Sequence, residues 1–116
     1  MIVFTKLHLC GDKHLKPCED ILVGVEGCQA VMGLFQSGLL ANLIEFRFTD
    51  FITDPYALMG LTDALYMNPS LLYVDFSRNN ISEDLASAVI QKLYNNPCLS
   101  KINLDGNPIS TGLFME

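Results

Sequence analysis

Hydrophobic and polar residues alternate in a pattern that changes period twice in each stretch of about 28 residues. The clearest instance runs Leu71-x-x-Val74-x-Phe76-x-x-Asn79-x-Ile81, and Leu99-x-x-Ile102-x-Leu104-x-x-Asn107-x-Ile109 reproduces it position for position, 28 residues later. Val74 and Phe76 alternate with Tyr73, Asp75 and Ser77, which predicts a strand covered on one face. After Ile81 the spacing widens: Leu85, Val89 and Leu93 recur every four residues beside Ala86 and Ile90, which predicts an amphipathic helix. Ser82 is its candidate N-cap, Glu83 and Asp84 suit the positive end of its dipole, Lys92 suits the negative end, and Pro97 forbids continuation.

The preceding unit reads Leu43-x-x-Phe46-x-Phe48, then Asp54-Pro55 as cap and first helical residue, then Leu58, Leu61 and Leu65. Equal strand-then-helix units imply parallel strands with helices on one side, connected by right-handed crossovers. The Asn68-Pro69 and Asn96-Pro97 doublets and the Tyr66/Tyr94 pair repeat at the same interval, and the tyrosines mark packing at a helix end. At the N-terminus two registers compete. Phe4-x-x-Leu7-x-Leu9-x-x-Asp12 fits the strand pattern but lies 39 residues before Leu43, 11 more than the period; the alternative makes Cys18-x-x-Ile21-x-Val23 the strand and residues 1–17 a lead-in. The first is the better fit. Either way, residues 27–38 are expected to form a helix weakened by Gly33, with 11–26 irregular.

These residues resemble the leucine-rich repeat family, in particular its long intracellular, ribonuclease-inhibitor-like subclass, and the resemblance covers residues 43–109. It implies an α/β fold, a right-handed β-α solenoid with a parallel concave sheet and convex helices, in one domain spanning 1–116 with units starting near 4, 43, 71 and 99. It also implies that Asn79 and Asn107 bond to backbone where each strand turns away. Phe51 stands where the unit starting at Leu43 should carry its asparagine, so an aromatic is expected to fill that turn. The last unit opens at Asn107-Pro108-Ile109 without the helix that should cover it, and Leu113, Phe114 and Met115 follow. A fragment of a longer array, a short isoform, or end-to-end self-association through an uncapped C-terminus would each account for this.

In such a fold the residues between the inward apolar positions form columns on the concave face. Lys6, Glu45, Tyr73 and Lys101 make one, His8, Arg47, Asp75 and Asn103 the next, and Cys10, Thr49, Ser77 and Asp105 a third. Neighbouring strands about 4.8 Å apart would let Lys6 face Glu45 and Arg47 face Asp75. Such pairs on a solvated face contribute only about 0–1 kcal/mol each. Their other use is recognition, with Tyr73, Arg47 and Arg78 of the types that anchor protein ligands.

Composition narrows the function classes. Thirteen acids against seven bases give a net charge of −6, which opposes binding to nucleic acid or anionic membranes and favours basic protein partners. No apolar run reaches the roughly 18–20 residues of a membrane helix, and Lys6 and His8 interrupt the only stretch that could be a signal peptide. Four cysteines at 10, 18, 28 and 98 form no close pair, as in a reducing, cytoplasmic setting.

His8, Cys10, His14 and Cys18 offer four zinc-ligand types, but their spacing matches no compact ligand knuckle, and no metal or other cofactor is expected. Cys28 and Cys98 read as small buried or interfacial residues, Cys10 lacks a third group to orient a His8 base, and Glu83-Asp84 is a dipole pair. A noncatalytic protein-interaction module is the leading expectation. The alternative resembles the leucine-rich repeat activators of small GTPases, in which loop residues such as Arg78, Asn80 or Asp105 would touch the GTPase.

Overall fold

A computed structural model of the chain describes residues 5–11, 17–51 and 54–109. The expectations for Phe4, Asp12, His14 and Leu113 to Met115 lie outside these residues. Strands and helices alternate: β1 (Lys6–Cys10), α1 (Pro17–Gln36), β2 (Glu45–Thr49), α2 (Pro55–Tyr66), β3 (Tyr73–Asp75), α3 (Glu83–Leu93) and β4 (Lys101–Asn103). All strand pairs are parallel and the sheet order β1-β2-β3-β4 follows the chain. The molecule is therefore α/β, four parallel strands alternating with three helices among the described residues. None of those helices is long and apolar enough to cross a membrane.

The strand register resolves the N-terminal ambiguity. Lys6 pairs with Glu45, Leu7 with Phe46 and His8 with Arg47, so the first of the two registers holds. Cys18, Ile21 and Val23 belong to α1, which overturns the alternative strand. The helix expected over 27–38 begins ten residues earlier, at Pro17, so residues 17–26 of the segment expected to be irregular are helical. Proline suits a first helical turn, and tertiary packing outweighs the helix-weakening glycines. A Cβ at Gly27 would meet Phe48 at 3.2 Å, so the missing side chain leaves room for that ring. The 11 surplus residues are thus largely accounted for by a 20-residue α1, set against 12 in α2 and 11 in α3.

The later helices follow their sequence signals. Asp54 accepts hydrogen bonds from the backbone N–H of Tyr56 (3.0 Å) and Ala57 (3.1 Å), with Pro55 opening α2. Ser82 accepts one from Leu85 N–H at 3.3 Å, and Lys92 occupies the last turn of α3. Val74, Phe46, Phe48 and Phe76 turn inward with Leu58, Leu61, Leu65, Val89 and Leu93 to form one buried cluster. Phe46 sits at its centre, edge-on to Phe35 of α1 (6.5 Å) and Phe76 (6.3 Å) and stacked on Phe48 (6.2 Å). Ile102, the β4 counterpart of Val74, is only partly buried, while Leu104 just beyond it is buried.

Two rows of asparagine amides join successive units. Asn79 Oδ1 accepts from Phe51 N–H at 2.9 Å while its Nδ2 donates to Phe48 O at 2.7 Å. One unit later, Asn107 Oδ1 accepts from Asn79 N–H at 2.8 Å and Nδ2 donates to Phe76 O at 3.0 Å. Phe51 ends the row because it has no amide; its buried ring stacks on Phe48 with centroids 4.0 Å apart. The second row lies where each helix returns to the sheet. Asn68 Nδ2 donates to Leu40 O and Asn96 Nδ2 to Asn68 O, both at 2.8 Å.

Candidate functional surface

Strand alternation places two classes of side chain on opposite faces of the sheet. Phe46 and Phe48 point into the core, so Glu45 and Arg47 point to the other face, and the burial pattern of β2 records it. The register aligns Lys6, Glu45, Tyr73 and Lys101 in one row and His8, Arg47, Asp75 and Asn103 in the next, as the spacing predicted. In the third column Cys10 pairs with Thr49 in register.

Contacts within the face differ from expectation at one pair. Lys6 is aligned with Glu45, yet the Glu45 carboxylate is held by His8 Nε2 at 2.5 Å and by Arg47 Nε at 3.3 Å. The His8 hydrogen bond, then that of Arg47 and the charges of both, hold the Glu45 carboxyl below its ordinary value. The guanidinium of Arg47 is in turn held above its ordinary value by the Glu45 hydrogen bond first and so stays cationic. Arg47 also lies 3.6 Å from Asp75, the pair the spacing predicted. Asp75 is almost covered and accepts from the backbone N–H (2.9 Å) and hydroxyl of Ser77.

Tyr73 lies between two cations. Arg47 Cζ is 5.1 Å and Lys101 Nζ 5.6 Å from its ring centroid, within cation–π range, and Asn103 Nδ2 reaches the phenol oxygen at 3.5 Å. Arg78 stands apart, in the turn after β3. Its Nε and second guanidinium nitrogen donate to the two carboxylate oxygens of Asp50 at 2.8 and 3.2 Å, and this hydrogen bond raises its pKa above the ordinary value. Asp50 and Arg78 both take left-handed backbone conformations, φ 64° and 55°, and Gly106 follows at the equivalent place with φ 75°. A side chain on Gly106 would collide with Arg78 Cγ. Arg78 therefore arches over a glycine and clasps the preceding turn.

Of the zinc-ligand types, His8 and Cys10 share the outer face but engage different carboxylates, since Cys10 Sγ donates to Asp50 Oδ2 at 3.3 Å. Cys18 lies in α1, and among the described residues no group of three or more His, Cys, Asp or Glu is placed to hold a metal ion. Cys28 is fully buried, and burial pushes its thiol up to about 11, as a packing residue requires. A cleft of about 360 Å³ between the C-terminal ends of α1 and α2 is lined by Met32, Phe35, Gln36, Ala64, Met67 and neighbours, with no titratable group among them.

The asparagines at 68 and 96 were visible as period markers, but their bonding was missed. Each donates to a backbone carbonyl 28 residues away, which no local pattern displays. Comparison with protein-family models, curated proteins and solved structures finds no match.

Proposed function

We propose that this chain is a noncatalytic protein-interaction module of leucine-rich repeat type, a right-handed solenoid that binds a protein partner on the outer face of its sheet. The repeat reading is supported by amide bonds that recur at sequence separations of 28 and 31 in two consecutive units. The functional reading rests on one observation: Tyr73, flanked by Arg47 and Lys101, forms a preassembled aromatic and cationic group on the sheet face turned away from the buried core. Tyr and Arg held in place lose little freedom on binding, which is what makes such residues anchors. His8, Glu45, Asp75 and Asn103 surround this group as a polar rim. The activator-like alternative would use Arg78, Asn80 or Asp105; Arg78 is already bidentate on Asp50, and no specific observation favours the other two.

The test is affinity capture with the wild type and with an Arg47→Ala/Tyr73→Ala variant, the captured partner then being titrated directly. Both side chains are partly exposed, so the variant is expected to keep its melting temperature within a few degrees while losing the partner. A partner bound equally by both proteins would refute the surface.

A further inference from the structure

The outer face of the sheet differs in charge from the rest of the molecule, and resting on the binding role proposed above, we infer that it recognises an acidic segment of its partner. In the two rows aligned by the strand register, three bases, Lys6, Arg47 and Lys101, stand against two acids, Glu45 and Asp75, with Asp105 beyond β4 in the flanking third column. A chain with net charge −6 thus presents a locally basic sheet.

Of these charges the carboxylates are the less accessible, because both are held by neighbours within the face. Glu45 is bound by His8 and Arg47, and its side chain is 20% exposed. Asp75, at 7%, is bound by Ser77 and Arg47. The cations remain accessible: Arg47 is 42% exposed, and Lys101, also exposed, has no carboxylate within ion-pair reach among the described residues. Tyr73 holds Arg47 and Lys101 on either side of its ring. Acidic side chains of a partner can therefore reach Lys101 and the guanidinium edge of Arg47 on the two sides of Tyr73. Charge-assisted bonds to two prepositioned cations give both selectivity and a faster encounter.

The acidic balance of the whole chain had favoured basic partners, but binding depends on the potential where contact is made. Nucleic acid carries anionic groups too. An extended polyanion would run beyond three cations into the acidic remainder of the chain, so a short acidic peptide segment is the occupant that fits.

The probe is a pair of twelve-residue peptides with leucine and tyrosine at fixed positions, one with glutamate and the other with lysine at every intervening site, each titrated by fluorescence anisotropy. The glutamate peptide is expected to bind the wild type, with affinity falling as salt rises. Lys101→Glu should weaken it by roughly tenfold and favour the lysine peptide, whereas Lys101→Arg should retain binding. Equal melting temperatures of the three proteins establish that folding is unchanged. Preference of the wild type for the lysine peptide, indifference to Lys101→Glu, or displacement of the glutamate peptide by an equimolar single-stranded oligonucleotide would each overturn the inference. So would failure of the glutamate peptide to bind. If the captured partner still depends on Tyr73 in any of these cases, the binding role survives and only the charge preference falls; if Tyr73→Ala also leaves capture intact, both fall.

Discussion

At the scale of single residues, the molecule depends on amides that satisfy backbone groups belonging to another unit. Asn79 is fully buried, and its side chain serves one donor, Phe51 N–H, and one acceptor, Phe48 O. Phe51 lies beyond β2, which ends at Thr49, and Phe48 pairs with Leu9 of β1 but has no partner in β3. Each buried polar group left unpaired costs about 1–3 kcal/mol. Asn79→Ala is therefore expected to destabilise the fold by about 2–4 kcal/mol, measured by urea unfolding. Asn107→Ala, at a partly exposed site where water can replace the amide, should lose less. Equal losses at the two positions would show that burial does not control the contribution.

At the scale of the element, glycines separate what was legible in the sequence from what was not. Strands β2 to β4, helices α2 and α3, their caps and the alignment of the outward rows could be read, because alternation, Asp54-Pro55 and Ser82 are local signals. The start of α1 could not. Gly24, Gly27 and Gly33 blur its apolar periodicity, and what holds Gly27 in a helix is Phe48, 21 positions further along the chain. The pairing of Glu45 with His8 was hidden for a related reason: register identifies the residue directly opposite, here Lys6, while the contact is made by the diagonal neighbour. The glycines also predict opposite outcomes. Gly33 sits in α1 with nothing within 4 Å of an added Cβ, so Gly33→Ala should stabilise by roughly 0.5–1 kcal/mol. At Gly11, where the chain leaves β1, a Cβ would lie 2.1 Å from the backbone oxygen of Asp50. Gly11→Ala must push β1 and the β2 turn apart, and its melting temperature should fall while that of Gly33→Ala rises.

At the scale of the whole molecule, chain order and spatial order coincide, so each unit is supported by its neighbours: β1 with β2, β2 with β3, β3 with β4, α1 with α2 and α2 with α3. Such an arrangement could unfold unit by unit, and the core decides against that. The buried cluster runs unbroken from Cys28 in α1 to Leu104 beyond β4, and Phe46 alone touches rings from the first helix, its own strand and the next unit. Removing the Phe46 ring leaves a cavity shared by three successive segments, and truncations of this kind cost about 3–5 kcal/mol. Against the roughly 5–15 kcal/mol of a typical domain, that is a large fraction of the total. Phe46→Ala is thus expected to lower the urea midpoint of the entire chain in one step, with circular dichroism of the helices and the fluorescence of the four tyrosines moving together and the slope unchanged. All four tyrosines, Tyr56, Tyr66, Tyr73 and Tyr94, lie beyond β2, so a fluorescence transition left in place while helical signal is lost would show that the units unfold separately.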